Sequence, residues 1–162
     1  MRIGEGVEWA LHCCTILAAL PPDRSLSAAK LAEFHEVPPT YLAKHLQAMS
    51  RAGIVEAVAG AKGGYRLARA ATDITMLDVV QAVDGDDPAF RCTEIRQCGP
   101  ARVARREYVR PCGIAVAMAA AEASWKAELR SRSIADLLNA LPRDVSPKAA
   151  VKAVTWLQKS IR

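Results

Sequence analysis

The stretch PPTYLAKHLQAMSRAGIVEAVAGAKGGYRLAR, residues 38–69, decides the fold. Pro38 and Pro39 pre-set the φ of a helix start, and Gly53 suits the residue just past a helix end. Between them Leu42, Leu46 and Met49 recur at helical spacing on one face, while Thr40, Lys44, Gln47 and Arg51 fall on another. One face packs and the other looks outward. Beyond Gly53, Ile54 to Val58 and Tyr65 to Ala68 read as two short strands around the turn Gly60-Ala61-Lys62-Gly63-Gly64.

Upstream, Glu5 to Leu20 predicts a helix that is apolar on most sides, with Glu8, His12 and Thr15 as a narrow polar stripe, and Ser27 to His35 predicts a second. Helix, short helix, helix, hairpin is the order of a winged helix-turn-helix. Downstream, Thr75 with Asp78 opens a short helix from Met76 to Val83, and Gly85 to Pro88 ends it. An irregular stretch carrying Cys92, Cys98 and Cys112 follows. From Gly113 to Arg130 a long helix places Ile114, Met118, Ala121, Trp125 and Leu129 on one stripe, with alanines beside it that allow another helix to approach closely. Ser133 with Asp136 starts a further short helix, and Ser146-Pro147 starts the last, which ends near Ile161. The fold class is therefore mainly α with a small β-wing: a winged helix-turn-helix plus a long dimerisation helix. The expected organisation is a DNA-binding domain over residues 1–83, a cysteine-bearing loop over 84–112, and a dimerisation helix with C-terminal helices over 113–162.

The chain has 162 residues, 51% of them hydrophobic and only 5% aromatic, which suits one helical core built from small and aliphatic side chains. Its net charge of +5 is unevenly spread. Residues 38–69 are basic apart from Glu56, residues 71–95 are acidic apart from Arg91, and residues 96–162 are basic again. Glu5, Glu8 and His12 interrupt the first apolar stretch, so it does not read as a secretory leader, and no apolar run reaches the roughly 20 residues that span a bilayer. The expectation is a cytoplasmic protein with no membrane partner.

A helix whose outward stripe holds Thr40, Tyr41, Lys44 and Gln47 can present hydrogen-bonding groups to major-groove base edges. Gly63, Gly64 and Tyr65 of the wing would let backbone approach phosphate, and Arg51, Lys62 and Arg66 would neutralise phosphates. Taken alone, such a stripe is more commonly an ordinary solvated helix face. The order and spacing of the elements favour double-stranded DNA as the partner.

Five cysteines without a secretory leader argue for reduced thiols rather than a disulfide scaffold. Cys13 and Cys14 lie inside the first apolar helix and read as small buried hydrophobes. Cys92, Cys98 and Cys112 lie among Arg91, Arg96, Arg102, Arg105, Arg106 and Arg110, whose charge would lower thiol pKa values and compensate an anionic iron-sulfur centre. Their spacing matches no paired-knuckle zinc pattern, and three unrelated thiols in a basic loop is the alternative. Glu8 and His12, four residues apart, project side by side and could complete a metal site or form an ordinary surface pair. Trp9 beside them could cover such a site or belong to the core. Nothing in the chain provides a close reactive C-x-x-C pair, and no enzyme activity is expected.

PPTYLAKHLQAMSRAGIVEAV, then GAKGGYRLARAATDITMLDVVQAVDG, CTEIRQC and PCGIAVAM, together resemble the Rrf-two (Rrf2) family of bacterial transcriptional regulators over nearly the whole chain. The resemblance implies a homodimer with crossed long helices, each subunit placing one winged helix on a half-site of a palindromic operator, and an iron-sulfur cluster between the subunits. The opening GVEWALHCC is most similar to the redox-sensing RsrR branch, in which two cysteines of one subunit and a glutamate and histidine of the other hold a 2Fe-2S cluster. Carried over, this gives Glu8, His12, Cys92 and Cys112 as ligands. If Cys98 joins in place of His12, a 4Fe-4S cluster held by three cysteines and Glu8 is the alternative. Two departures stand out: the Cys98 to Cys112 interval is longer than the family's usual spacing, and Ala59 stands where several relatives carry a basic wing residue. The implied function is a repressor sensing redox state or nitric oxide, with a cluster-free thiol sensor as the nearest alternative.

Overall fold

A computed structural model describes residues 3–60 and 63–161. Helix α1 (Glu5–Ala18) buries Val7, Ala10, Cys13, Cys14, Ile16 and Leu17, and the Gly4 amide before it donates to the Asp84 carboxylate at 3.0 Å. Helix α2 (Ala28–His35) begins where the Ser27 hydroxyl accepts from the Lys30 amide at 3.2 Å, and it ends at Glu36, whose φ of 53° turns the chain out of the helix. Helix α3 (Pro39–Arg51) has proline in its first turn and buries Leu42, Leu46 and Met49. Gly53, at φ 67°, takes the left-handed conformation that lets the chain reverse beyond α3, and the Ile54 amide closes the turn on the Met49 carbonyl at 2.9 Å.

Strands β1 (Val55–Val58) and β2 (Gly64–Leu67) pair antiparallel, with Val55 opposite Leu67 and Val58 opposite Gly64. Leu26 adds a bridge on the far side of β2, exchanging both backbone hydrogen bonds with Tyr65 at 3.1 and 2.7 Å. Gly64 is dictated by that contact, since a Cβ there would stand 2.5 Å from the Leu26 carbonyl oxygen. The wing glycine expected to admit phosphate thus has an internal reason for lacking a side chain.

Helix α4 (Met76–Asp84) starts with a reciprocal cap between Thr75 and Asp78, and helix α6 (Ile134–Asp144) starts with the same device between Ser133 and Asp136. The two starts are tied together, because the Met76 amide donates to the Arg132 carbonyl and the Ile134 amide to the Ile74 carbonyl, each at 2.8 Å. Helix α7 (Pro147–Ser160) is capped by Ser146. Leu26, Leu31, Leu42, Leu46, Met49, Ile54, Ile74, Val79 and Ile134 form the sealed centre of this unit. Burying each such side chain contributes about 1.5–3 kcal/mol.

The chain divides into two compact units: one runs through Asp86 and resumes at Leu129, and the other spans Asp87–Glu128. The C-terminal helices therefore share a core with the winged helix: α6 packs on α1, and Ile134 belongs to the same buried cluster as residues of α1 and α3. The second unit holds single-turn 3-10 helices at Ile95–Gln97 and Arg105–Glu107 and most of α5 (Gly113–Arg130). It has no buried residue. Ile114, Val116 and Met118 on α5 are exposed by 67, 56 and 41%.

Candidate regulatory centre and nucleic-acid interface

The outward face of α3 follows from its packing. With Leu42, Leu46 and Met49 sealed inside, Thr40, Tyr41, Lys44, Gln47 and Arg51 are exposed, and the Lys44 ammonium lies 5.3 Å from the Tyr41 ring centroid. The wing is less free than its composition suggests. Arg66 donates to the Glu56 carboxylate at 2.6 Å and reaches the Pro22 carbonyl at 3.4 Å, so much of its charge is answered within the protein. Tyr65 packs on the core, Gly63 sits where a Cβ would meet the Val58 carbonyl oxygen at 2.3 Å, and Lys62 lies outside the described residues.

Among the thiols, Cys13 and Cys14 behave as the sequence suggested. Burial pushes the Cys13 thiol up to about 12 and the Cys14 thiol higher still, and the Cys14 sulfur lies 3.5 Å from the Met49 sulfur. Cys112 is different. It stands immediately before α5, with the Val116 amide closing the first turn on its carbonyl at 3.0 Å. Its pKa is held below the ordinary thiol value, chiefly by the backbone N–H groups of Ala115 and Ile114 at the open helix start and, to a smaller extent, by the Cys92 thiol.

The loop arginines play a smaller part in this than expected. Arg91 pairs with Asp87 at 2.9 Å, Arg106 with Glu107 at 3.3 Å, and Arg96 with Glu94, leaving Arg96 as the one arginine of the loop that acts on the Cys112 thiol. The unpaired amides of a helix start stabilise the thiolate more directly than the one guanidinium that acts on it, which Glu94 already answers. The signal for this was present in the sequence, as a cysteine immediately before a predicted helix. Cys92 is exposed and its sulfur accepts from the Glu94 amide at 3.4 Å, whereas Cys98 is exposed at the end of the Ile95–Gln97 turn.

Glu8 and His12 are both exposed on α1, one helical turn apart. Trp9 between them is half-buried, edge-on to the His45 ring of α3 at 6.1 Å, so it joins α1 to α3. The His12 ring lies 5.3 Å from that of His35, whose Nε2 is buried without a hydrogen-bond partner. Burial, and secondarily His12, hold the His35 pKa below its ordinary value. Gly6 was not singled out from sequence, yet a Cβ there would stand 2.3 Å from the His45 ring. Among the described residues, no three His, Cys, Asp or Glu side chains gather into a metal-binding group. The donors are chemically suited to iron but form two pairs: a thiol pair in the loop, and a carboxylate with an imidazole on α1.

These features define a winged-helix regulator class, and the comparisons agree. The Rrf2 family, described as an iron-dependent transcriptional regulator, matches residues 3–140, and the chain belongs to that family. Protein aau3 of Rhizobium meliloti (strain 1021) is 32% identical over 143 residues, covering 88% of each chain. YwgB of Bacillus subtilis (strain 168) is 29% identical over 139 residues, covering 86% of this chain and 85% of that one. Among solved structures, T. potens IscR is similar with a TM-score of 0.68 at 19% identity, over 90% of this chain and 92% of that chain. CymR, the global cysteine regulator of B. subtilis, is similar with a TM-score of 0.64 at 20% identity, over 86 and 97%. The chain is an Rrf2-family transcriptional regulator with the family's winged-helix fold. Among the described residues no helix is long and apolar enough to cross a membrane.

Proposed function

We propose that the protein is a homodimeric repressor that binds a palindromic operator in double-stranded DNA and senses redox state or nitric oxide through an iron-sulfur cluster of the 2Fe-2S type. The observation that carries this reading is the place of Cys112 directly before α5, where backbone N–H groups favour the thiolate that a metal ligand must present and the Cys92 thiol adds to the effect. When bound, the cluster supplies reversible one-electron chemistry. Cys92 and Cys112 provide two of its four ligands. Glu8 and His12 of the second copy provide the others, since they lie one turn apart on an exposed helix face. The exposed apolar stripe of α5, with Ile114, Val116 and Met118, is the surface on which two copies meet.

Thr40, Tyr41, Lys44 and Gln47 read base edges, and Arg51 answers phosphate. Because Cys112 caps α5, any change in what its sulfur binds is felt first by that helix. Trp9, edge-on to His45, gives the Glu8 side a direct contact with the recognition helix. The coupling required is typically about 1–3 kcal/mol. The lowered pKa of Cys112, to which Cys92 contributes, also favours a second reading, a cluster-free sensor in which these two thiols respond to oxidants directly.

Mixing two variants tests the shared centre. Glu8→Ala/His12→Ala and Cys92→Ala/Cys112→Ala homodimers, purified anaerobically, are expected to contain no iron or acid-labile sulfide. Heterodimers of the two regain one of the two centres. An iron-free mixture beside an iron-loaded wild type would overturn the shared centre, and an iron-free wild type would leave the thiol sensor.

A further inference from the structure

The unit that carries Cys92 and Cys112 has no buried residue, so hydrophobic packing does not fix where those sulfurs stand. A polar cluster does. The Arg96 guanidinium makes two hydrogen bonds to the Glu94 carboxylate, one of them at 2.8 Å, lies 4.7 Å from the Tyr108 ring centroid, and reaches the Arg110 carbonyl at 3.5 Å. In return the Tyr108 hydroxyl donates to the Arg96 carbonyl. One side chain thus ties the turn that follows Cys92 to the segment that delivers Cys112. Between the two run two short 3-10 turns and irregular chain.

Two further observations point the same way. Glu94 holds a φ of 52°, a left-handed conformation that a glutamate adopts at a cost, and its carboxylate is the one Arg96 grips. The Glu94 amide, oriented by that conformation, donates to the Cys92 sulfur at 3.4 Å. The grip therefore reaches one cysteine through Glu94 and the other through Arg110, two residues before Cys112.

We propose that Arg96 is a positioning residue, clasping the two halves of the cysteine loop so that the Cys92 and Cys112 sulfurs are held together in the metal-free protein. As a role in ligand placement, this rests on the function proposed above. The planar fork is essential to it, because a lysine would place a point charge there without the bidentate grip or the stacking.

The test uses full-length protein carrying Cys98→Ala, with two readouts. In anaerobic metal-free protein, dibromobimane bridges only thiols that stand close together, and mapped Cys92–Cys112 product reports the clasp. In reconstituted protein, the rate of iron release to a chelator reports ligand placement. Arg96→Ala is expected to lower bridged product several-fold and to speed release about 10-fold or more, the usual scale for losing a group that orients a ligand. Arg96→Lys should resemble Arg96→Ala, and Tyr108→Phe should fall between it and the parent. The far-UV spectrum and melting temperature should hold, since the sealed core takes nothing from this loop. Unchanged bridging in Arg96→Ala, or full rescue by lysine, overturns the clasp. A parent protein that takes up no iron fails the proposed function, while the bimane comparison still decides the clasp.

Discussion

The sulfur of Cys112 sits on the open end of a helix, and its charge state follows from that position. Backbone amides of Ala115 and Ile114 are the main cause of its lowered pKa, so the thiolate persists to lower pH than in an unfolded chain. Alkylation by iodoacetamide, mapped by mass spectrometry from about pH 6 to about pH 9 on metal-free protein, should reach its plateau for Cys112 at lower pH in the folded than in the urea-unfolded state. Cys13, pushed up to about 12 by burial, should stay unmodified in the folded protein over the same range. Identical Cys112 curves in the two states would remove the helix-end account. Gly6 is a second residue whose role is set by contact rather than chemistry. A methyl group there meets the His45 ring, so Gly6→Ala should destabilise the protein by about 1–3 kcal/mol in urea titrations. In a His45→Ala background the same substitution should cost clearly less, because the obstacle is gone.

At the scale of elements, the proposed function gives α3 two separable jobs. Gln47→Ala should relax operator preference, narrowing the gap between cognate and mutated half-sites by about 1–3 kcal/mol, whereas Arg51→Ala should weaken all DNA about equally and lower the salt slope by about 1. Fluorescence anisotropy at several salt concentrations distinguishes the two patterns. Arg66 should contribute less than its charge implies, since Glu56 already answers it. These elements were legible in the sequence because each rests on local rules. Pro38-Pro39 and Gly53 bracket α3, Thr75 and Ser133 cap α4 and α6, and the stripe from Ile114 to Leu129 matches α5 over Gly113–Arg130. What was not legible depends on partners far apart in the chain. Ile134 packs with the winged helix, Glu56 takes Arg66, and Glu94 adopts a left-handed turn under Arg96, none of which leaves a periodic trace. Of the candidate ligands, the residue types and the Glu8–His12 spacing were readable. That helix amides, rather than the arginine-rich loop as a whole, govern Cys112 required the fold.

At the scale of the whole molecule, the chain joins a well-packed unit to one with no buried core, and regulation would exploit that contrast. A loop held by polar contacts can change with its ligands at little cost, while the unit carrying α3 keeps its shape. An exposed apolar helix would link such a loop to the proposed dimer. The central claim is that the state of the centre sets DNA affinity. The direct measurement is operator binding by anaerobic protein at one fixed salt concentration, comparing oxidised-cluster, reduced-cluster and metal-free forms against a non-operator duplex. The account expects operator affinity to differ between forms by roughly 5- to 150-fold, as a coupling of this kind implies, with non-operator binding nearly unchanged. Equal operator affinity in all three forms would contradict it.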